Sequence, residues 1–245
     1  MSEIISYNPL NISSLWLGYF DLLGTSKLIQ SGKILEVFIA YQEALEKLKG
    51  WEKRHPNVSS AWFSDTFIIF SEDDSELSFQ AVDLISRWLI FSLLRRSIPV
   101  RGAIACGPFY ADNSNRIYLG QALLEAYEWG ENQDWIGMLL CPSSVTRLAE
   151  LNLPIKERLN YTLYDVPFKK PHQNESLSFA ACILGQWVRS SSDQNILLEY
   201  IRKMSISQKE EQVRLKYERT IQFIEKYDRK LANQGMQADT ADPYR

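Results

Sequence analysis

Apolar residues fall into short blocks separated by polar breaks, and the spacing within each block predicts its element. Ser14 to Phe20 is an apolar run that ends in Asp21, the pattern of a strand. Gly24-Thr25-Ser26 breaks it, and Thr25 or Ser26 stands where a helix cap is expected. Ile34, Leu35, Phe38, Tyr41, Leu45 and Leu48 recur at helical spacing and predict an amphipathic helix ending near Gly50. Val58 to Phe63 and Thr66 to Phe70 read as two strands joined by a tight turn. A second helix is predicted from Ser75 to Arg96. Its stretch Trp88 to Leu94 is apolar almost all round, the mark of a helix covered on more than one side. A thick core and a subunit interface both fit it.

The second half continues the alternation. Pro99 opens a strand, Val100 to Gly107, which Gly107-Pro108 is expected to end. Leu119 to Trp129 reads as a helix, Trp135 to Leu140 as a strand, and Pro142 opens a short helix. Tyr161 to Val166 and Leu177 to Leu184 are later strands around a polar loop, Pro167 to Glu175. The last long helix is expected near Ser207, with Glu210 three residues on as a capping box. Its apolar stripe is Val213, Tyr217, Ile221, Ile224 and Tyr227. The expected division is a main domain over 1–190, a helical extension over 191–233 and a tail over 234–245.

Composition narrows the class. The 245 residues are 45% hydrophobic, enough to bury a substantial core. A net charge of −3 without a long basic run gives no reason to expect nucleic-acid binding. No run of eighteen apolar residues appears, so no membrane span is expected. Met1 to Asn8 lacks a signal-peptide pattern. Cys106, Cys141 and Cys182 have no metal-ligand spacing and read as reduced thiols of a cytoplasmic protein. With only His55 and His172, a histidine metal cluster is not expected.

The order through Gly107 is strand, helix, strand, strand, helix, strand, which is the ferredoxin-like βαββαβ pattern of an α+β fold. In that topology strands one and two run parallel with strand three between them. The end of strand one, the turn between strands two and three, and the start of strand four then meet at one sheet edge. Asp21, Asp65 and Arg101 are brought there from three segments. An aspartate after a strand or in a hairpin turn is commonly a cap or turn former, and a strand-opening arginine a surface charge. Two carboxylates gathered at one edge repel each other when ionised, and divalent cations cancel that repulsion. Paired metals clamp the attacking and leaving oxygens of phosphoryl transfer. Leu22, Leu23, Gly24, Thr25 and Ser26 follow Asp21 directly, and their amides ahead of a helix are placed to hold phosphates.

With these segments in place, the chain resembles the class III nucleotidyl cyclases over roughly residues 15–144. Tyr19 to Thr25 resembles that family's first metal motif, and Phe63 to Phe70 the second, with Ser64 where glycine is usual. Val100 to Pro108 resembles the following strand, and Tyr118 to Glu128 the Gly-led helix after it. The resemblance implies Asp21 and Asp65 as ligands of two Mg²⁺ or Mn²⁺ ions, with the Leu22 carbonyl added. It implies an active site between two subunits of a homodimer. The purine readers of the family are replaced: Ala61 stands for a lysine, Ile117 for an aspartate, Leu124 for an asparagine and Glu128 for an arginine. A retained metal pair without purine readers is similar to the bacterial pyrimidine cyclases of antiphage defence, the Pycsar family. The implied substrate is CTP or UTP, with Arg101 neutralising charge and Trp62 or Phe63 walling the base or packing in the core. Two alternatives stand beside this: a non-catalytic cyclase-like module that binds nucleotide or dimerises, and a palm-like polymerase or dinucleotide cyclase built on the same two acids.

Overall fold

The computed structural model describes residues 12–159, 161–170, 178–181 and 191–228. The first strand, β1 (Ser13–Leu22), is buried continuously from Leu15 to Phe20. A strand apolar on both faces belongs in the middle of a sheet with helices on either side. After it come α1 (Thr25–Gln30), α2 (Ile34–Arg54), β2 (Val58–Phe63), β3 (Thr66–Ser71), α3 (Glu76–Arg95) and β4 (Val100–Asp112). Then follow β5 (Ile117–Gly120), α4 (Gln121–Asn132), β6 (Gly137–Leu140), α5 (Pro142–Glu150), α6 (Ile155–Arg158), β7 (Thr162–Tyr164) and β8 (Ser178–Ala181). The C-terminal part is α7 (Ser191–Ile206) and α8 (Glu211–Phe223), which runs into a π-helical turn, Ile224–Asp228.

The strands form one sheet in the order β2-β3-β1-β4-β6-β8-β7, with β5 on β4. β1 is antiparallel to β3 and β4, and β3 is antiparallel to β2, so β1 and β2 run parallel with β3 between them. This is the ferredoxin-like core expected from the pattern. Alternation along β1 sends Tyr19 and Asp21 to one face and Gly18 and Phe20 to the other. α4 covers the first face, where the Tyr19 ring approaches the Cα of Gly130; α3 covers the second, where Ser86 approaches Gly18.

Several expectations are corrected. The cap of α1 is neither Thr25 nor Ser26 but Gly24, at φ 76° and ψ 8°, a left-handed conformation that glycine adopts without a Cβ penalty. Thr25 is buried instead. In α2 the buried face is Val37, Ala40, Tyr41, Ala44 and Leu48, while Ile34, Leu35 and Phe38 point outward, and the helix runs past Gly50 to Arg54. α3 is long and apolar enough by composition to cross a membrane, yet 83% of its apolar stretch is buried within the fold. Its apolar run is core: Leu89, Ile90, Leu93 and Leu94 are at most 1% exposed. Gly107-Pro108 does not end β4, which continues to Asp112 and folds back as β5. Leu119 is therefore a strand residue, and α4 starts at Gln121. Gly120 fits the join because a Cβ there would lie 2.3 Å from the Pro108 carbonyl oxygen. The capping box also fails. Ser207 Oγ donates to the Met204 carbonyl, ending α7, and Glu210 stands at the N-cap of α8 with its carboxylate on Lys27 and no side-chain bond to the helix amides.

The C-terminal helices are docked, not splayed. Thr220 Oγ1 accepts from Ile136 N at 2.9 Å, and Phe223 meets Trp135 and Tyr164 edge-on at 5.0 and 4.8 Å. Cys106 and Cys141 are buried free thiols. Cys182, His172, the expected tail and the outer ends of the last predicted strand lie outside the described residues.

Candidate active site

Two adjacent features stand out: an acidic rim at the sheet edge where β1 ends, and an aromatic cleft on the α4 face. The rim forms where β1 ends, the β2–β3 turn lies and β4 begins. Asp21 pairs across the ladder with Thr66 on one side and Arg101 on the other. The two-residue turn Ser64-Asp65 closes with Ser64 at φ 57°. It is stitched to β1 by Leu22 N donating to the Asp65 carbonyl at 2.9 Å. The segment holding the second acid is thus bonded to the strand holding the first.

Arg101 is no surface charge. Its side chain is 5% exposed and lies between two carboxylates. Nε donates to Asp21 Oδ2 at 2.9 Å, Nη2 lies 2.7 Å from the same oxygen and 2.5 Å from Glu131 Oε2, and Nη1 donates to the Gln133 carbonyl at 2.9 Å. Glu131, on α4, also accepts from the Tyr19 hydroxyl at 3.1 Å. Asp65 Oδ2 accepts from Thr25 Oγ1 at 3.4 Å. Among the described residues no protein group bonds Oδ1 of Asp21 or of Asp65.

Three carboxylates near one guanidinium leave the rim negative. Burial pushes the Asp21 carboxyl above its ordinary range; Arg101 opposes this, while the charges of Glu131 and Asp65 add to it. Burial also lowers Lys169, helped by the Arg101 charge, and Lys169 in turn feels Glu131 and Asp21. An oxygen-only donor set with two unbonded carboxylate oxygens suits a hard divalent cation such as Mg²⁺ or Mn²⁺, whose shell water and phosphate complete. Among the described residues no group of three or more His, Cys, Asp or Glu side chains is placed to hold a metal ion, so any cation here would rest on two carboxylates with water and phosphate.

The expected phosphate cradle is narrower than the sequence implied. Leu22 N is bonded to Asp65 and Leu23 N to the Pro99 carbonyl, because sheet pairing continues to the strand end. Only Gly24, Thr25 and Ser26 of that stretch keep amides outside the sheet ladder.

Beside the rim opens a cavity of about 840 Å³, walled by Tyr19, Ile68, Tyr118 and Tyr127 and rimmed by Phe63 and Arg116. That volume falls within the range of small-molecule sites, roughly 300–1,000 Å³. Tyr19 and Tyr127 meet edge-on at 5.5 Å. Phe63 is 83% exposed, which excludes core packing for it. Trp62 borders the cavity, yet its ring stacks on Phe67 at 5.2 Å and meets Tyr41 at 4.7 Å on the opposite face. At 36% exposure Trp62 both packs on these rings and borders the cavity. Ala61 and Leu124 line the cavity; Ile117 and Glu128 lie outside its lining. Sequence reasoning missed Glu131, Tyr19 and Lys169. The i, i+2 spacing of Tyr19 and Asp21 on one strand face was an available signal for Tyr19; the other two come from segments that only folding places here.

No protein-family model and no curated protein matches this sequence. Solved structures do match in shape. The adenylyl cyclase CyaB from P. aeruginosa superposes with a TM-score of 0.52 at 9% identity, covering 73% of this chain and 100% of that one. The fold is that of a class III nucleotidyl cyclase catalytic domain. A guanylyl cyclase domain of the RhoGC fusion protein from the aquatic fungus Blastocladiella emersonii agrees, at TM-score 0.52 and 10% identity over 71% of this chain and 96% of that one. So does the catalytic core of a rhodopsin-guanylyl cyclase with converted specificity in complex with ATPαS, at 0.53 and 9% over 70% and 97%. In this cyclase fold, the acidic rim lies at the carboxyl end of the central strand β1.

Proposed function

We propose that this protein is a pyrimidine nucleotide cyclase that converts CTP or UTP to the 3′,5′-cyclic monophosphate and pyrophosphate. The observation that carries the reading is the convergence of Asp21 and Asp65 at one rim, each with an unbonded carboxylate oxygen, on a nucleotidyl cyclase fold. Asp21, Asp65 and the Leu22 carbonyl would hold two Mg²⁺ or Mn²⁺ ions, which supply charge stabilisation to the oxygens of the reacting phosphate. The chain's own residues do the rest. Arg101 fixes the Asp21 carboxylate in place. Gly24, Thr25 and Ser26 offer amides to the outer phosphates, and Lys169 adds a cation at the same rim. The ribose 3′-hydroxyl attacks the α-phosphate, and holding both in one bound geometry accounts for much of the acceleration.

The pyrimidine preference rests on the cleft. Where purine cyclases carry lysine and asparagine, Ala61 and Leu124 present apolar surface to the cavity. A small base packed against Tyr19, Tyr127 and Phe63 needs no purine-reading lysine. A homodimer is part of the reading. Ile34, Leu35, Phe38, Phe63 and Leu124 are each at least 52% exposed, apolar surface that a second copy would cover. Signalling in antiphage defence follows from the resemblance to the Pycsar cyclases; it is tested by whether Asp65→Ala abolishes phage resistance in cells carrying the gene.

The deciding experiment is mass spectrometry of products formed from a mixture of the four nucleoside triphosphates with Mn²⁺. Cyclic CMP or cyclic UMP is expected. Four intact triphosphates would overturn catalysis, cyclic AMP or GMP the pyrimidine assignment, and a linear or dinucleotide product the cyclase chemistry. One observation favours a non-catalytic nucleotide-binding module as the second reading: α4 carries Leu124 and Glu128 where the family carries an asparagine and a transition-state arginine. Calorimetric binding of CTP without turnover would establish it.

A further inference from the structure

Glu131 sits on α4, and neither a metal motif nor the cleft accounts for it. Its carboxylate is nonetheless the closest partner of the buried guanidinium that holds Asp21. Arg101 Nη2 stands 2.5 Å from Glu131 Oε2 and 2.7 Å from Asp21 Oδ2, while the Tyr19 hydroxyl fixes Glu131 Oε1 at 3.1 Å. Glu131 is 30% exposed, Arg101 5%. A buried guanidinium seeks the best carboxylate geometry available, a parallel two-point fork. Here it does not form one with Asp21. Nε and Nη2 converge on the single oxygen Oδ2, and Nη2 is shared with Glu131.

We propose that Glu131 is a positioning residue that divides Arg101 between two carboxylates and so keeps Asp21 Oδ1 available to a divalent cation. An arginine fully committed to Asp21 would satisfy both carboxylate oxygens and compete with the metal for the same charge. With Glu131 taking part of the guanidinium, Arg101 orients Asp21 through one oxygen without neutralising it. Such supporting partners typically change metal affinity 10–100-fold when removed. The inference rests on the metal-site reading above and extends it to a residue outside the two acidic motifs.

The test is Mn²⁺ binding to the whole chain without nucleotide, read by electron paramagnetic resonance of free Mn²⁺, for the unsubstituted protein, Asp65→Asn, Glu131→Gln and Glu131→Asp. Glu131→Gln removes the charge; Glu131→Asp keeps it but withdraws the carboxylate by one methylene from Arg101. Both Glu131 variants are expected to bind Mn²⁺ about tenfold more weakly with unchanged circular dichroism. If Glu131→Asp binds as tightly as the unsubstituted protein while Glu131→Gln does not, charge at a distance is sufficient and the positioning role is overturned. If neither variant weakens binding, it is overturned outright. If the unsubstituted protein itself shows no Mn²⁺ binding that depends on Asp65, the metal-site reading falls and this inference with it, a result distinct from the other two.

Discussion

The acidic rim and the aromatic cleft adjoin on one sheet, yet they are built on opposite principles. At the rim nearly every polar group is bonded within the chain: Asp21 to Arg101, Arg101 to Glu131 and Gln133, Glu131 to Tyr19, Asp65 to Thr25. In the cleft most of the wall is rings and aliphatic chains, with Asn113 and Arg116 among its polar members, and Phe63, Leu124 and Tyr127 have more than half their surface uncovered. A preorganised charged site needs its geometry fixed before the substrate arrives, because reorganising charges during the reaction costs rate. An apolar pocket needs only shape. The difference teaches that substitutions at the rim should act on turnover and metal binding, and those in the cleft on substrate binding and assembly.

The sharpest way to break that contrast is Asp65→Ala. Removing one of the two carboxylates proposed to hold metal is expected to lower turnover by ~10³-fold or more with the melting temperature nearly unchanged. Full activity in a product assay would end the metal role. Arg101→Lys should follow, with a loss of ~10–100-fold in kcat, because an ammonium cannot reach Asp21, Glu131 and the Gln133 carbonyl together as the guanidinium does. An unchanged kcat would make the guanidinium a structural ion pair only. In the cleft, Tyr127→Ala should raise KM for the triphosphate by ~5–10-fold and leave kcat within about twofold, since it removes packing surface and no charge. A kcat loss as large as that of Arg101→Lys would erase the distinction between the two regions. Phe63→Ser should shift the proposed dimer toward monomer in analytical ultracentrifugation without lowering stability; an unchanged sedimentation profile removes that side chain from the proposed interface.

The smallest expected effect lies far from both regions. His55, at the end of α2, is held below its ordinary value, first by burial and then by the charge of Arg54. The folded state therefore resists a proton that the unfolded chain accepts near pH ~6.5. Its contribution to stability is present above that value and is lost as pH falls from there through the lower folded-state value. His55→Gln should flatten the pH dependence of the melting temperature between about pH 5 and 7. A slope identical to that of the unsubstituted protein would show that burial of His55 carries no linkage.

The βαββαβ order, the place of Asp21 at a strand end and Asp65 in a hairpin turn, and the arrival of Arg101 at the same sheet edge are legible in the chain; its ion pair with Asp21 is not. Each legible feature depends on local spacing plus the handedness of strand crossovers, which the backbone imposes on any sequence. Where local rules failed, a tertiary contact had overruled them. Helical spacing alone could not say which stripe of α2 faces the core, so Ile34, Leu35 and Phe38 were expected inside and lie outside. Gly107-Pro108 looked like a strand end, yet the strand continued because β1 pairs with it through Ser14 and Pro108. The sequence places the amides of Leu22 and Leu23 in a phosphate cradle, whereas the fold ties them to the carbonyls of Asp65 and Pro99.

Local pattern thus determined the elements, their order and the two acids, because side-chain periodicity and turn chemistry act over a few residues. Only the tertiary structure decided that Glu131 of α4 and Lys169 after β7 come to the rim, that Arg101 is buried between two carboxylates, and that an apolar cleft opens beside them. Those facts depend on contacts between segments 30 or more positions apart, such as Arg101 with Glu131. Such contacts form when the sheet closes and helices pack on it, and no short window of sequence encodes them.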